Sequence, residues 1–291
     1  MQIDLGGSGP VMVVGGPYSN LRATQAAIAE AERLRIPPGR VIVTGDVVAY
    51  CAEPDETARA VAGWGCHVIQ GNCEQQIAAG AADCACNFEE GSACDLLAKG
   101  WYPFAAARVS EEMRAWMAAL PETLTFKLAG TTFRVVHGGT HEVSRWVFAS
   151  ETAVLAEECA LADADVVIAG HCGLPFIARS GRHVWFNAGV IGMPANDGTV
   201  GGWYGLITPS SRGVTLATRR LQYDHSAAAG AMRRFGHANG YARTLVTGLW
   251  PSLDVLPQRE RAGTGVRIKA RSLRVATRPT ETETARAASA A

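Results

Sequence analysis

Two histidines, an aspartate and an asparagine stand where this sequence can gather a metal ion. Gly45-Asp46 ends the apolar run Val41-Ile42-Val43-Thr44, and Gly71-Asn72 ends Val68-Ile69-Gln70. His137-Gly138 ends Phe133-Arg134-Val135-Val136, and Gly170-His171 ends Val166-Val167-Ile168-Ala169. A glycine beside each polar residue lets the chain turn sharply as it leaves a strand, so a short side chain can point at a shared centre. Two imidazoles, a carboxylate and an amide oxygen make a nitrogen and oxygen shell suited to one divalent transition metal, iron, manganese or zinc. One such strand end is usually a turn or a satisfied histidine; four in one chain point to a common site. With a single carboxylate against it, a divalent ion stays net positive and keeps places for water and substrate, as Lewis-acid hydrolysis requires.

The elements that must position these residues come in two styles. Val11 to Gly15, Asn20 to Leu34, Val41 to Asp46, Asp55 to Trp64 and His67 to Gly71 follow a βαβαβ order, that of a parallel sheet wound with helices. Helical sequence then dominates, with Met113, Trp116 and Met117 set amphipathically among Glu111, Glu112 and Arg114, and predicts a helical insertion at about 74–120. From Leu124 short strands return, broken by a helix over Thr152 to Leu161. Hairpin spacing around Ala129-Gly130, Ser180-Gly181 and Ser210-Ser211-Arg212-Gly213 predicts a mostly antiparallel second half. The expected fold class is α/β, a four-layer α-β-β-α sandwich of two mixed sheets flanked by helices, forming a single domain over 1–260. From Arg261 apolar periodicity ceases, which predicts a flexible tail over 261–291.

Of the 291 residues 48% are hydrophobic and 19% charged, an ordinary globular balance, and the formal net charge is zero. No basic excess argues for a nucleic-acid surface, and no apolar run approaches a membrane span. The opening Met1-Gln2-Ile3-Asp4-Leu5 has no export pattern, so the expected location is cytoplasmic. The eight cysteines should then be mostly free thiols rather than a disulfide framework. Cys84, Cys86 and Cys94 have Cys-x-Cys spacing without a fourth ligand that would complete a zinc pattern.

The ordered set Gly-Asp, Gly-Asn, Val-His-Gly and Gly-His resembles the calcineurin-like metallophosphoesterase superfamily, its compact bacterial branch in particular, over roughly residues 10–220. Gly45-Asp46-Val47-Val48-Ala49-Tyr50, Leu120-Pro121-Glu122-Thr123 and Phe186-Asn187-Ala188-Gly189 extend the likeness. The resemblance implies two metals bridged by the aspartate of Gly-Asp and hydrolysis of phosphomonoesters or phosphodiesters. Asp46 matches that aspartate, and Asn72, His137 and His171 match the other ligands of the second metal. The private ligands of the first metal are missing: Gly16 and Tyr18 stand where the family has Asp-x-His, and Gly173 stands for the last histidine of Gly-His-x-His. The resemblance therefore implies a mononuclear centre.

Cys73 takes the place of the histidine that follows the asparagine in the family. Beside a cation it could serve as a thiolate ligand, nucleophile or proton donor, or fill space as a neutral thiol. Tyr18 could donate its phenol to a substrate oxygen in the space of the missing metal, or plug that space. His141, Glu142 and Arg145 fit solvated loop positions, and Glu74 a helix-start charge. The expected function is a divergent metal-dependent phosphoesterase, a hydrolase acting on a small-molecule phosphoester. The alternatives are a non-catalytic metal- or ligand-binding module on the same fold, and a different metal and thiol chemistry at Cys73.

Overall fold

Alternation along the strands sorts side chains into layers. In a strand successive side chains face opposite ways, and Val11 and Val13 enter one core while Met12 and Val14 enter another. Both faces are buried, which explains an unbroken apolar run. The same division occurs at Val166 and Ile168 against Val167 and Ala169.

The computed structural model describes residues 1–235 and 240–277. Its strands, in chain order, are β1 (Val11–Val14), β2 (Val41–Val43), β3 (His67–Val68), β4 (Leu124–Leu128), β5 (Thr131–Val135), β6 (Val166–Ala169), β7 (Pro175–Ser180), β8 (His183–Ala188), β9 (Gly202–Ser210), β10 (Gly213–Leu221) and β11 (Ser272–Ala276). The helices are α1 (Leu21–Arg33), α2 (Pro54–Trp64), α3 (Asn72–Ala79), α4 (Ala93–Ala106), α5 (Glu111–Ala118), α6 (Thr152–Leu161), α7 (His225–Arg234), α8 (Tyr241–Thr247) and α9 (Gln258–Ala262). A six-stranded sheet runs β11-β10-β9-β1-β2-β3, and a five-stranded sheet runs β4-β5-β6-β8-β7. The inter-sheet core lies between two helical layers, one including α1 and α2 and the other α6. This is the four-layer α-β-β-α sandwich, and both sheets are mixed.

The inter-sheet core holds Phe133 and Phe126 as stacked rings, 4.5 Å between centroids, both buried. Phe133→Ala should lower unfolding free energy by about 3–5 kcal/mol, read as a shifted midpoint with unchanged slope in urea denaturation.

Most pairings within the second half are antiparallel, as the hairpin spacing predicts (β4-β5, β7-β8, β9-β10 and β10-β11), while β5, β6 and β8 pair in parallel, with α6 between β5 and β6 and β7 placed at the sheet edge. The hairpin β9-β10 joins the first sheet through β1. One expectation needs correction, that of a flexible tail beginning at 261. The tail is not wholly flexible, because β11 pairs antiparallel with β10 and places Val275 in the inter-sheet core; the part of the expected tail over 278–291 lies outside the described residues. Most cysteines are free thiols as expected, six of the eight, while Cys84 and Cys86 are joined in a disulfide. Among the described residues no helix is long and apolar enough to cross a membrane.

Candidate metal centre

Four strand ends deliver the site. The loops after β2 and β3 approach so closely that a Cβ on Gly45 would sit 2.5 Å from the Gly71 nitrogen, and one on Gly71 would sit 2.6 Å from Asp46 Oδ1. Gly45 also has φ +89°, a backbone region open to glycine at no steric cost. Asp46 (φ +54°) and His171 (φ +58°) adopt left-handed backbone as well. For such residues that costs on the order of 1 kcal/mol each, a strain that the surrounding packing must hold.

All four predicted ligands converge. His137 Nε2 lies 3.1 Å from Asn72 Oδ1, 3.2 Å from His171 Nδ1 and 3.3 Å from Asp46 Oδ2. On the other side of the ring Nδ1 is 2.6 Å from the Thr44 carbonyl. A carbonyl only accepts, so this bond assigns the proton to Nδ1 and leaves a lone pair on Nε2. The Asn72 amide is oriented the same way, since its Nδ2 donates to the Cys84 carbonyl at 2.8 Å and turns Oδ1 inward. Asn72 Oδ1, Asp46 Oδ2 and His137 Nε2 thus face one another as buried acceptors, with His171 Nδ1 beside them. Acceptors do not satisfy one another, and a cation does. Donors about 2.1 Å from one ion lie roughly 3.0–3.4 Å apart, which matches the three separations from His137 Nε2, and Asp46, His137 and His171 each bring a ligand atom within 4.8 Å of the others. The residues present fit a divalent metal.

The charge states agree with that reading. Burial opposes charge on Asp46, but His137, with His171 and Cys73, outweighs burial and holds the carboxyl below its ordinary value. Burial likewise opposes protonation of His137, but the Asp46 carboxylate, the Thr44 carbonyl and Glu74 raise it above an ordinary histidine. In the absence of a cation a proton can therefore occupy the position the ion would take. His171 is pushed down to about 3 by burial and by His137, so its ring is neutral.

Glu74 has a larger role than a helix-start charge. Fully buried in the first turn of α3, it accepts from the backbone N–H groups of Asp46, Val47 and Gly71 at 2.8 Å and of Val48 at 3.3 Å. It ties the Asp46 loop to the Asn72 loop. Burial and the Asp46 carboxylate push its carboxyl up to about 7, against the pull of the backbone donors.

The proposed catalytic residues are near the centre but not in its ligand set. Cys73 is buried, and burial together with Asp46 and Glu74 raises its thiol well above the ordinary value, so it is a neutral group that hydrogen-bonds Asp46. Tyr18, buried and also raised by burial, lines a narrow cleft of about 60 Å³ beside His171. Its ring covers Gly16, where a Cβ would meet it at 2.6 Å, and Trp250 lies 3.2 Å from a Cβ on Gly173. Aromatic side chains thus crowd two of the positions at which the family's first-metal ligands are missing. His141 and Glu142 are exposed, and Arg145 pairs with Glu157 and Glu158. Cys172 accepts from Asn187 Nδ2 at 3.2 Å, and burial pushes its thiol up to about 12.

Sequence reasoning missed two supports. Trp146 packs its ring 4.2 Å from that of His171, and nothing in its sequence context marks it. Asn187 donates to the Gly170 carbonyl at 2.7 Å and accepts from the Gly189 N–H at 3.0 Å, clamping the His171 loop; the Phe186-Asn187-Ala188-Gly189 match was its signal.

Fold and site together define a four-layer sandwich with a candidate metal centre at the strand ends. The family model of the calcineurin-like phosphoesterase superfamily domain matches residues 13–208, and the chain belongs to that superfamily. Among solved structures it is similar to a hypothetical protein from Pyrococcus horikoshii OT3, at TM-score 0.69 and 17% identity, over 82% of this chain and 98% of the other. It is also similar to a metallophosphoesterase from Sphaerobacter thermophilus, at TM-score 0.67 and 18% identity, over 84% of this chain and 100% of the other. These likenesses concern the fold. A comparison with curated proteins finds no match.

Proposed function

We propose that the protein is a phosphoesterase that works with one divalent transition metal held by Asp46, Asn72, His137 and His171. The observation that carries this is the convergence of Asn72 Oδ1, His171 Nδ1 and Asp46 Oδ2 within 3.3 Å of His137 Nε2. When bound, such an ion supplies Lewis acidity toward a phosphoryl oxygen and acidifies water. The chain's own residues do the rest. Thr44 commits the Nδ1 proton of His137, which keeps that ring a ligand rather than a proton carrier. Cys73, as a neutral thiol bonded to Asp46, orients the carboxylate instead of attacking substrate. Tyr18 offers a neutral O–H to a phosphoryl oxygen from the cleft wall. No lysine or arginine is among the described residues lining that cleft, so the phosphoryl group depends on the cation for charge compensation.

The test is metal quantification on protein purified without chelator, joined to a screen of small phosphomonoesters and phosphodiesters. About one transition metal per chain and turnover lost on chelation are expected. Cys73→His, which returns a titratable donor to that position, should raise turnover at unchanged metal content. The rings that crowd Gly16 and Gly173 favour the second reading, a binding module without catalysis. Absence of metal, with no stabilisation on metal titration, would decide for it.

A further inference from the structure

The Cys-x-Cys pair takes no part in the proposed chemistry, yet it is fastened to the centre on two sides. Cys84 and Cys86 are bonded to each other with Cα atoms 5.2 Å apart. Asn72 Nδ2 donates to the Cys84 carbonyl at 2.8 Å and approaches Cys86 Sγ at 3.3 Å, so this short loop decides which end of the amide faces His137. From the other side the Ser144 hydroxyl donates to the Ala85 carbonyl, and the Trp146 indole N–H donates to the Cys86 carbonyl at 3.2 Å. Trp146 is the ring that packs on His171. Between the cysteines Ala85 has φ +45°, a left-handed backbone that an alanine adopts only under strain. The sulfurs are buried, but residues 82–87 line a surface recess of about 440 Å³, which gives a small thiol an approach.

We propose that Cys84 and Cys86 are a redox-active pair that sets how tightly the centre holds its cation. The inference rests on the reading of Asp46, Asn72, His137 and His171 as metal ligands. The step is thiol-disulfide exchange with a dithiol reductant. A reductant thiolate attacks one sulfur, the S–S bond breaks, and a mixed disulfide forms. The reductant's second thiol then closes its own disulfide and releases the cysteines as two thiols, two electrons and two protons having passed to the protein. Opening the ring lets Ala85 relax to ordinary backbone and withdraws the Cys84 carbonyl from Asn72. The amide can then present its NH2 group, a donor, where its oxygen faced the ion. Groups that orient metal ligands are worth tenfold to hundredfold in metal affinity.

The experiment uses the full chain in two redox states and Mn²⁺ as probe, because a hard ion ignores newly freed thiols. Protein purified in air should show six thiols in denaturant and eight after dithiol treatment, given eight cysteines of which six are free. After the dithiol is removed anaerobically, Mn²⁺ binding followed by electron paramagnetic resonance should be about tenfold to hundredfold weaker in the reduced form. The Cys84→Ser/Cys86→Ser double variant should bind weakly in both conditions, while Cys66→Ser should respond like the wild type. The wild-type comparison stands even where the double variant fails to fold. Eight thiols before reduction, or equal Mn²⁺ affinity in the two forms, would overturn the proposal. Tight binding in both forms sinks the redox link alone, whereas no binding in either form removes the metal reading beneath it.

Discussion

His137→Ala should lose both metal and phosphoester turnover while its far-ultraviolet circular dichroism stays that of the wild type. The effect should exceed the loss of one ligand in four. His137 Nε2 is the atom around which the other three donors are arranged, and His137 is also first among the neighbours that hold the buried Asp46 carboxyl below its ordinary value. With the imidazole gone, burial prevails and Asp46 takes up a proton more readily, so a second ligand weakens. Affinity should fall by more than the roughly hundredfold upper range of indirect partners.

The same residue sets a pH dependence. Burial disfavours the imidazolium, but Asp46, Thr44 and Glu74 raise His137 above an ordinary histidine, so proton and cation compete at a higher pH than usual. Below that raised value affinity should fall by about tenfold per pH unit. For the metal-free protein the sign is opposite: the proton on His137 contributes stability that is fully present below the ordinary histidine value and is lost as pH rises through the raised one. Metal titrations and thermal midpoints across this window check both. Metal retained at wild-type affinity in His137→Ala would remove the assignment.

The candidate ligands were legible because each carries its own local signal, a polar residue with a glycine at the end of an apolar run. The two-sheet sandwich was legible for a similar reason, since fully buried strands are uniformly apolar and their helices amphipathic. Sheet membership was not, because hairpin spacing reports neighbours in sequence, whereas the parallel pairing of β5, β6 and β8 is set by α6 and by the excursion of β7 to the edge. Strand β11 was hidden by its composition: Ser272, Arg274 and Ala276 face solvent, and only Leu273 and Val275 turn inward. The Cys84–Cys86 bond was discounted from an expected reducing compartment, an inference about surroundings that says nothing of how close two thiols lie. Trp250 and Tyr18 fill space beside glycines that look, in sequence, only like missing ligands. Beyond such neighbours, what composition cannot convey is a contact between distant segments.

Glu74 is the clearest instance, and Glu74→Gln should cost about 2–4 kcal/mol of stability and tenfold or more in metal affinity. One carboxylate oxygen accepts from the Asp46 and Gly71 N–H groups, and the other from Val47 and Val48. A glutamine offers one acceptor oxygen and one NH2, so either orientation aims donors at two backbone donors in a fully buried site. Each orphaned buried donor costs about 1–3 kcal/mol. Relief of repulsion with Asp46, the neighbour that helps push Glu74 up to about 7, offsets part of this. That offset has its own pH signature: a carboxyl raised in the fold contributes stability fully present below its ordinary value and lost as pH rises toward about 7. A bound cation reverses the balance by favouring both carboxylates, so the penalty of the substitution should be larger in the metal-loaded protein than in the metal-free one. Urea denaturation of wild type and variant with and without Mn²⁺ measures the difference. Equal penalties in the two states, with Mn²⁺ affinity unchanged, would show that Glu74 merely caps α3 and does not position Asp46 and Asn72.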